Sequence, residues 1–138
     1  MLGGGKAALL VPYDCDRNHE PCDRGGVSAH WALIAGFLLP VESNGGGGGE
    51  ESTSRWEWWE ATGKGMCADD PATPFYLVAY HGKSRHPALW RHDALTRSNA
   101  QLSTVRSGDG MRQGSFCLPS EGISALRGKC LVISRLGE

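Results

Sequence analysis

Between positions 14 and 30 the sequence gathers Asp14, Cys15, Asp16, Asn18, His19, Glu20, Cys22, Asp23 and His30. Two metal chemistries are tested first. Asp14-x-Asp16-x-Asn18 opens like a calcium loop, but His19 stands where such a loop needs glycine, and Gly25 stands where it needs a bidentate glutamate. The calcium reading fails. Cys15, His19, Cys22 and His30 are suitable zinc ligands by type, yet their spacings match none of the common structural patterns, so the sequence is read with no metal and no cofactor.

His30 is the residue best placed for catalysis. A thiol protease needs an imidazole that accepts the thiol proton to give a thiolate-imidazolium pair, and a strand-edge histidine beside the bulky Trp31 is held rigidly and partly desolvated. The competing reading is a structural histidine whose hydrogen bonds are satisfied within the fold. Residue types alone leave both open.

The elements around these residues follow from pattern. Ala7 to Tyr13 is a short apolar run suited to a first strand, and Asp14 to Ser28 is a polar loop rich in Asp, Asn, His, Pro and Gly. Ala29 to Leu39 is almost uninterruptedly apolar; its brevity, Gly36 and the closing Pro40 favour a buried strand with His30 at the lip of the core. Over roughly residues 41–73 a run of glycines (Gly45 to Gly49), Glu50-Glu51 and Arg55-Trp56-Glu57-Trp58-Trp59-Glu60 read as a Gly/Trp-rich surface insertion, its tryptophans either folded back or exposed. Phe75 to Tyr80 is a strand by its β-branched and aromatic content. Asp93 is expected to cap a short helix over Ala94 to Ser98, and Gly114 to Leu118 and Cys130 to Ser134 supply two further strands. About five strands with one or two short helices make an α+β fold whose core is an antiparallel sheet or partial barrel.

Bulk properties set the class. A length of 138 residues argues for one core, while 20 Gly and 7 Pro imply a loop-rich chain that folds only marginally alone. A net charge of -1 without a charge block argues against nucleic acid or anionic lipid as partner, and no apolar run reaches membrane-spanning length. Five cysteines at irregular spacing suit free thiols in a reducing, cytoplasmic compartment. Cys117 and Cys130 read as inert, buried strand residues.

Several short motifs occur together in order: Pro12-Tyr13-Asp14, Asn18-His19-Glu20-Pro21-Cys22, Ala29-His30-Trp31-Ala32, His81-Gly82-Lys83-Ser84, Leu89-Trp90 and Ser98-Asn99-x-Gln101-Leu102. Together they resemble the C-terminal half of the actin maturation protease family. The resemblance implies the antiparallel, His-bearing β half of a papain-like cysteine peptidase, a single partial peptidase domain over residues 1–138. In such peptidases a nucleophilic cysteine opens a helix, a histidine opens a later strand, and an acidic or amide residue follows at the end of the next strand. By that resemblance His30 is the general base, and the substrate is the N-terminus of immature actin, from which an acetylated residue is removed. No cysteine here occupies the nucleophile's place, so the nucleophile is expected upstream, in the other half of the same protease domain. No Asp or Asn lies in the stretch that would orient the imidazole; His81 and Ser84 there, with Asn18 in the preceding loop, are the candidates. The alternative function is a non-catalytic module that binds actin or another partner through exposed tryptophans.

Overall fold

The computed structural model describes residues 7–41, 55–60, 74–104 and 119–134. The strand expected over Gly114 to Leu118, most of the Gly-rich insertion, Cys67 and Cys117 lie outside the described residues.

Among the described residues six strands form one sheet in which every pairing is antiparallel. They are β1 (Ala7–Asp14), β2 (Ala29–Val41), β3 (Arg55–Glu60), β4 (Tyr76–Tyr80), β5 (Ala88–Arg91) and β6 (Leu131–Ser134), joined by helix α1 (His92–Ala100) and a 3-10 turn over Gly122–Leu126. The order is β5-β4-β2-β1-β6, with β3 paired to β2 off that path. The central strand β2 has 13 residues, long enough to hold β1 along its first half (Tyr13 opposite His30, Leu9 opposite Ile34) and β3 along its second (Val41 opposite Arg55). Because Leu33 and Ile34 also pair with β4, as do Phe37 and Leu38, β1 and β3 share one edge of β2 and β4 takes the other. The β2–β4 register shifts by one residue between Ile34 and Gly36, as at a β-bulge.

The α+β expectation with a mostly antiparallel sheet holds, with differences in detail. Part of the insertion pairs with β2 as β3, and Trp56 and Trp58 are exposed there. The four-residue β5 went unforeseen in a segment that Pro87 precedes. The helix is longer than expected, and Asp93 does not cap it: Arg91 is the N-cap residue, with no side-chain cap, while Asp93 sits in the first turn and pairs with Arg91 (2.9 Å) and Arg97 (3.4 Å). Cys130 is exposed just before β6, not buried within a strand.

Side chains alternate across the strands, and one face of the sheet carries the core. Tyr13 and Cys15 continue the phase of Leu9 and Val11, facing Ala32 and Ile34 of β2, Leu77 and Ala79 of β4, and Trp90 of β5, with Leu95 of α1 packed over them. The Tyr13 and Trp90 rings meet at 5.0 Å, a tilted contact worth about 0.5–1.5 kcal/mol beyond its buried area. Trp31 and Leu33, on the other phase of β2, are exposed.

Candidate active site

The core face ends in histidines. His30 continues the inward phase of Ala32 and Ile34 at the head of β2, and His81 continues that of Leu77 and Ala79 just past β4. The Leu33–Tyr80 register brings the start of β2 beside the residues after β4. His19, from the loop between β1 and β2, lies against both: its ring is 6.1 Å from that of His30 and stacks on His81 at 5.4 Å. His81 in turn stacks on Trp90 at 5.8 Å. Burial, followed by the positive charge of Lys83 and then His19 and His81, holds the His30 imidazole below its ordinary value. It is therefore neutral at neutral pH, the form that accepts a proton.

The loop that delivers His19 is fixed by a buried carboxylate. Asp14 is fully buried, and its side chain accepts the backbone N–H groups of Arg24 (2.9 Å), Gly26 (3.1 Å) and Ser28 (2.8 Å). The Arg24 guanidinium donates to the Cys15 carbonyl at 2.8 Å. Nearer its tip, Asp16 accepts from the backbones of Asn18 (2.7 Å) and Glu20 (2.9 Å), closing a turn that places His19 at φ 65°, a left-handed conformation uncommon for histidine. The Tyr13 hydroxyl donates to the His19 carbonyl at 3.0 Å; burial first, then the charges of Cys15, Asp16 and Cys22, raises its pKa and keeps it a neutral donor.

Helix α1 clamps the same loop. Leu95, Ser98 and Asn99 follow the i, i+3, i+4 spacing of one helical face, and that face is buried. Its polar members are matched. The Ser98 hydroxyl accepts the Asp14 N–H at 2.9 Å and directs its own hydrogen at the Asp14 and Cys22 carbonyls (3.0 and 2.8 Å). The Asn99 amide donates to Pro12 (2.8 Å) and Lys129 (3.2 Å). The Gln101 side chain donates to Cys22 (3.3 Å) and accepts from the backbone of Gly25. Gly26 sits at φ 95°, where a Cβ would lie 2.9 Å from the Thr104 carbonyl, so the loop can lie this close only with glycine there.

Of the orienting candidates, the structure brings only His81 into the histidine cluster. The Ser84 hydroxyl accepts the His86 N–H at 3.0 Å within an exposed turn, and Asn18 is exposed at the tip of the Asp16 turn. Cys15 lies 4.0 Å from His19 Nδ1, but it is 3 % exposed and belongs to the core; burial, followed by the charges of Cys22, Asp14 and Asp16, raises its thiol pKa. Cys22 is raised as well, by burial first. Neither is a poised thiolate nucleophile. Asp14, Ser98 and Gln101 were missed as site-building residues. The alternation that places His30 and His81 on the core face was present in the sequence.

The family described as "Actin maturation protease-like, C-terminal domain" matches residues 2–38. A curated relative from Drosophila melanogaster is 34% identical over 139 residues, covering 99% of this chain and 40% of its own length; it is named actin maturation protease. Relatives of the same name from Xenopus tropicalis (38% identical over 120 residues, 85% of this chain and 38% of the relative) and Homo sapiens (36% over 137 residues, 91% and 38%) give a similar picture. The chain thus spans about two fifths of the length of the curated relatives it matches. No solved structure matches it. Among the described residues no helix is long and apolar enough to cross a membrane.

Proposed function

Since this chain belongs to the actin maturation protease family and aligns with its C-terminal part, we propose that it forms the histidine-bearing half of a cysteine protease that trims the N-terminus of immature actin. In this reading the fold is papain-like. The nucleophilic cysteine comes from the upstream part of the same protease domain, actin is the protein substrate, the acetylated N-terminal residue is what is removed, and the reaction takes place in the cytoplasm. The observation that carries the proposal is the position of His30: it heads the central strand on the core face, half-buried, its imidazole held below its ordinary pKa.

His30 acts first as base and then as acid. Its neutral imidazole takes the proton of the cysteine thiol, the thiolate attacks the carbonyl carbon of the scissile bond, and the imidazolium returns the proton to the departing amine. Stacking of His81 on His19 and Trp90 gives the region around His30 a rigid wall, and His81 is the candidate positioning residue. The test is His30→Gln in a protein extended upstream to the relatives' length. Turnover of an acetylated actin N-terminal peptide is expected to fall by about 10²–10⁴-fold with the fold retained, because general-base work is lost while size is nearly preserved. Undiminished turnover would remove His30 from the mechanism.

A second reading rests on Trp56 and Trp58, which are 41 and 49 % exposed on β3: the same sheet binds a protein partner without catalysis. Replacing both by serine would weaken partner binding under that reading and leave peptide turnover unchanged under the first.

A further inference from the structure

Three residues of different chain position meet at the end of the core face with the donor atoms of a metal site. Cys15 offers Sγ, His19 and His30 each offer a ring nitrogen, and these atoms all lie within 4.8 Å of one another. Zinc holds thiolate sulfur at about 2.3 Å and imidazole nitrogen at about 2.0–2.1 Å in tetrahedral geometry, so ligand atoms on one ion are separated by roughly 3.3–3.7 Å. The Cys15 Sγ to His19 Nδ1 distance of 4.0 Å is already close to that separation. Small side-chain rotations would complete the set.

We propose that Cys15, His19 and His30 form a zinc site with one open coordination position. One thiolate and two imidazoles are ligands that zinc favours over magnesium or calcium, and three protein ligands leave the fourth tetrahedral position to water. The site is preorganised from both sides. The Asp16 turn and the Tyr13 hydroxyl fix the His19 backbone, and β2 fixes His30 through its pairing with Tyr13. Cys22, which the sequence grouped with these ligands, lies outside the set; its sulfur instead accepts from Arg24 Nε at 3.4 Å. The irregular spacing that argued against zinc in the sequence arises because a loop and a strand, not one compact knuckle, supply the ligands.

Binding converts the Cys15 thiol to a thiolate and releases its proton to solvent, so affinity rises with pH. It also occupies His30. Where His30 is the catalytic base, zinc at this site withdraws that base and inhibits the protease reversibly; this consequence rests on the protease reading, whereas the site itself does not.

The test uses the 138-residue chain with cobalt(II) as a spectroscopic probe for zinc. One equivalent is expected to produce a thiolate-to-cobalt charge-transfer band that zinc abolishes by competition. Cys15→Ala should remove the band. His19→Asn, which keeps a residue tolerant of positive φ at that turn, should weaken binding by more than the roughly 10–100-fold that losing an outer-shell partner costs. Cys22→Ala should retain both band and affinity. Absence of a stoichiometric band in the folded chain would overturn the site, as would a band that survives Cys15→Ala or disappears with Cys22→Ala. Inhibition by zinc, measured separately on the protein extended to the relatives' length, should be relieved by His19→Asn. If the cobalt site is present and zinc leaves turnover unchanged, the role of His30 as base fails and the metal site stands.

Discussion

Replacing Asp14 by asparagine removes one hydrogen-bond acceptor from a carboxylate that organises the whole loop between β1 and β2. Oδ2 accepts Arg24 and Gly26, and Oδ1 accepts Ser28. The asparagine carbonyl can keep the first two bonds, which leaves its NH2 group facing the Ser28 N–H, donor against donor. One backbone N–H without an acceptor costs about 1–3 kcal/mol, and the two retained bonds lose their charge assistance, about 1 kcal/mol each. Relief from burying a charge offsets part of this. The expected loss is therefore about 2–4 kcal/mol, a large share of the roughly 5–15 kcal/mol by which domains are stable. Urea unfolding reads the total, and hydrogen exchange at the Arg24, Gly26 and Ser28 amides reads its location. A change below about 0.5 kcal/mol with unaltered exchange at those three amides would refute the assigned role of the carboxylate.

Further outcomes follow from the same geometry. Gly26→Ala should lower the urea midpoint by the equivalent of about 1–3 kcal/mol, because its φ of 95° and the Thr104 carbonyl 2.9 Å from the new Cβ both resist a side chain; Gly82→Ala, with open space around it, should cost less. Ser98→Ala should destabilise by about 1–3 kcal/mol by leaving the buried Asp14 N–H without its partner. Burial depresses both His30 and His92 below the ordinary value of 6.5, so the unfolded chain binds more protons as pH falls through that value. Stability should then be level between about pH 7 and 8 and decline below about 6.5, and the double variant His30→Gln, His92→Gln should flatten that acid-side decline in thermal melts. Iodoacetamide should label the exposed Cys130 well before Cys15, as mass spectrometry of timed samples would show.

The strands were legible where burial imposes a pattern. The apolar runs over Ala7 to Tyr13, Ala29 to Leu39 and Phe75 to Tyr80 correspond to β1, β2 and β4. β5 was not legible, because four residues with Leu89 outward and Trp90 inward carry too short an alternation to register. The Trp/Glu segment betrayed nothing of β3's pairing, since a partner strand's edge leaves no mark on the sequence. Ser98-Asn99-x-Gln101-Leu102 was visible as a motif but not as a clamp. Its contacts reach Asp14, Cys22 and Pro12, separated by 76 to 87 positions, and only folding brings those together. The same holds for the histidines: His30 was singled out by its strand, but its meeting with His19 and His81 depends on the β1–β2 loop folding back over the sheet. That loop's course is set by Asp14, a residue whose type reads as surface and whose burial depends on three backbone donors.

The central claim, that His30 supports a thiolate nucleophile, is tested most directly by the pH dependence of thiol alkylation at the nucleophilic cysteine of a protein extended to the relatives' length. With His30 in place, the alkylation rate should keep a reactive limb well below pH 8.5, the ordinary cysteine value, because a thiolate-imidazolium pair survives there. In His30→Gln that limb should vanish and the rate should follow an ordinary thiol. An unchanged profile in the variant would contradict the assignment of His30 as the base.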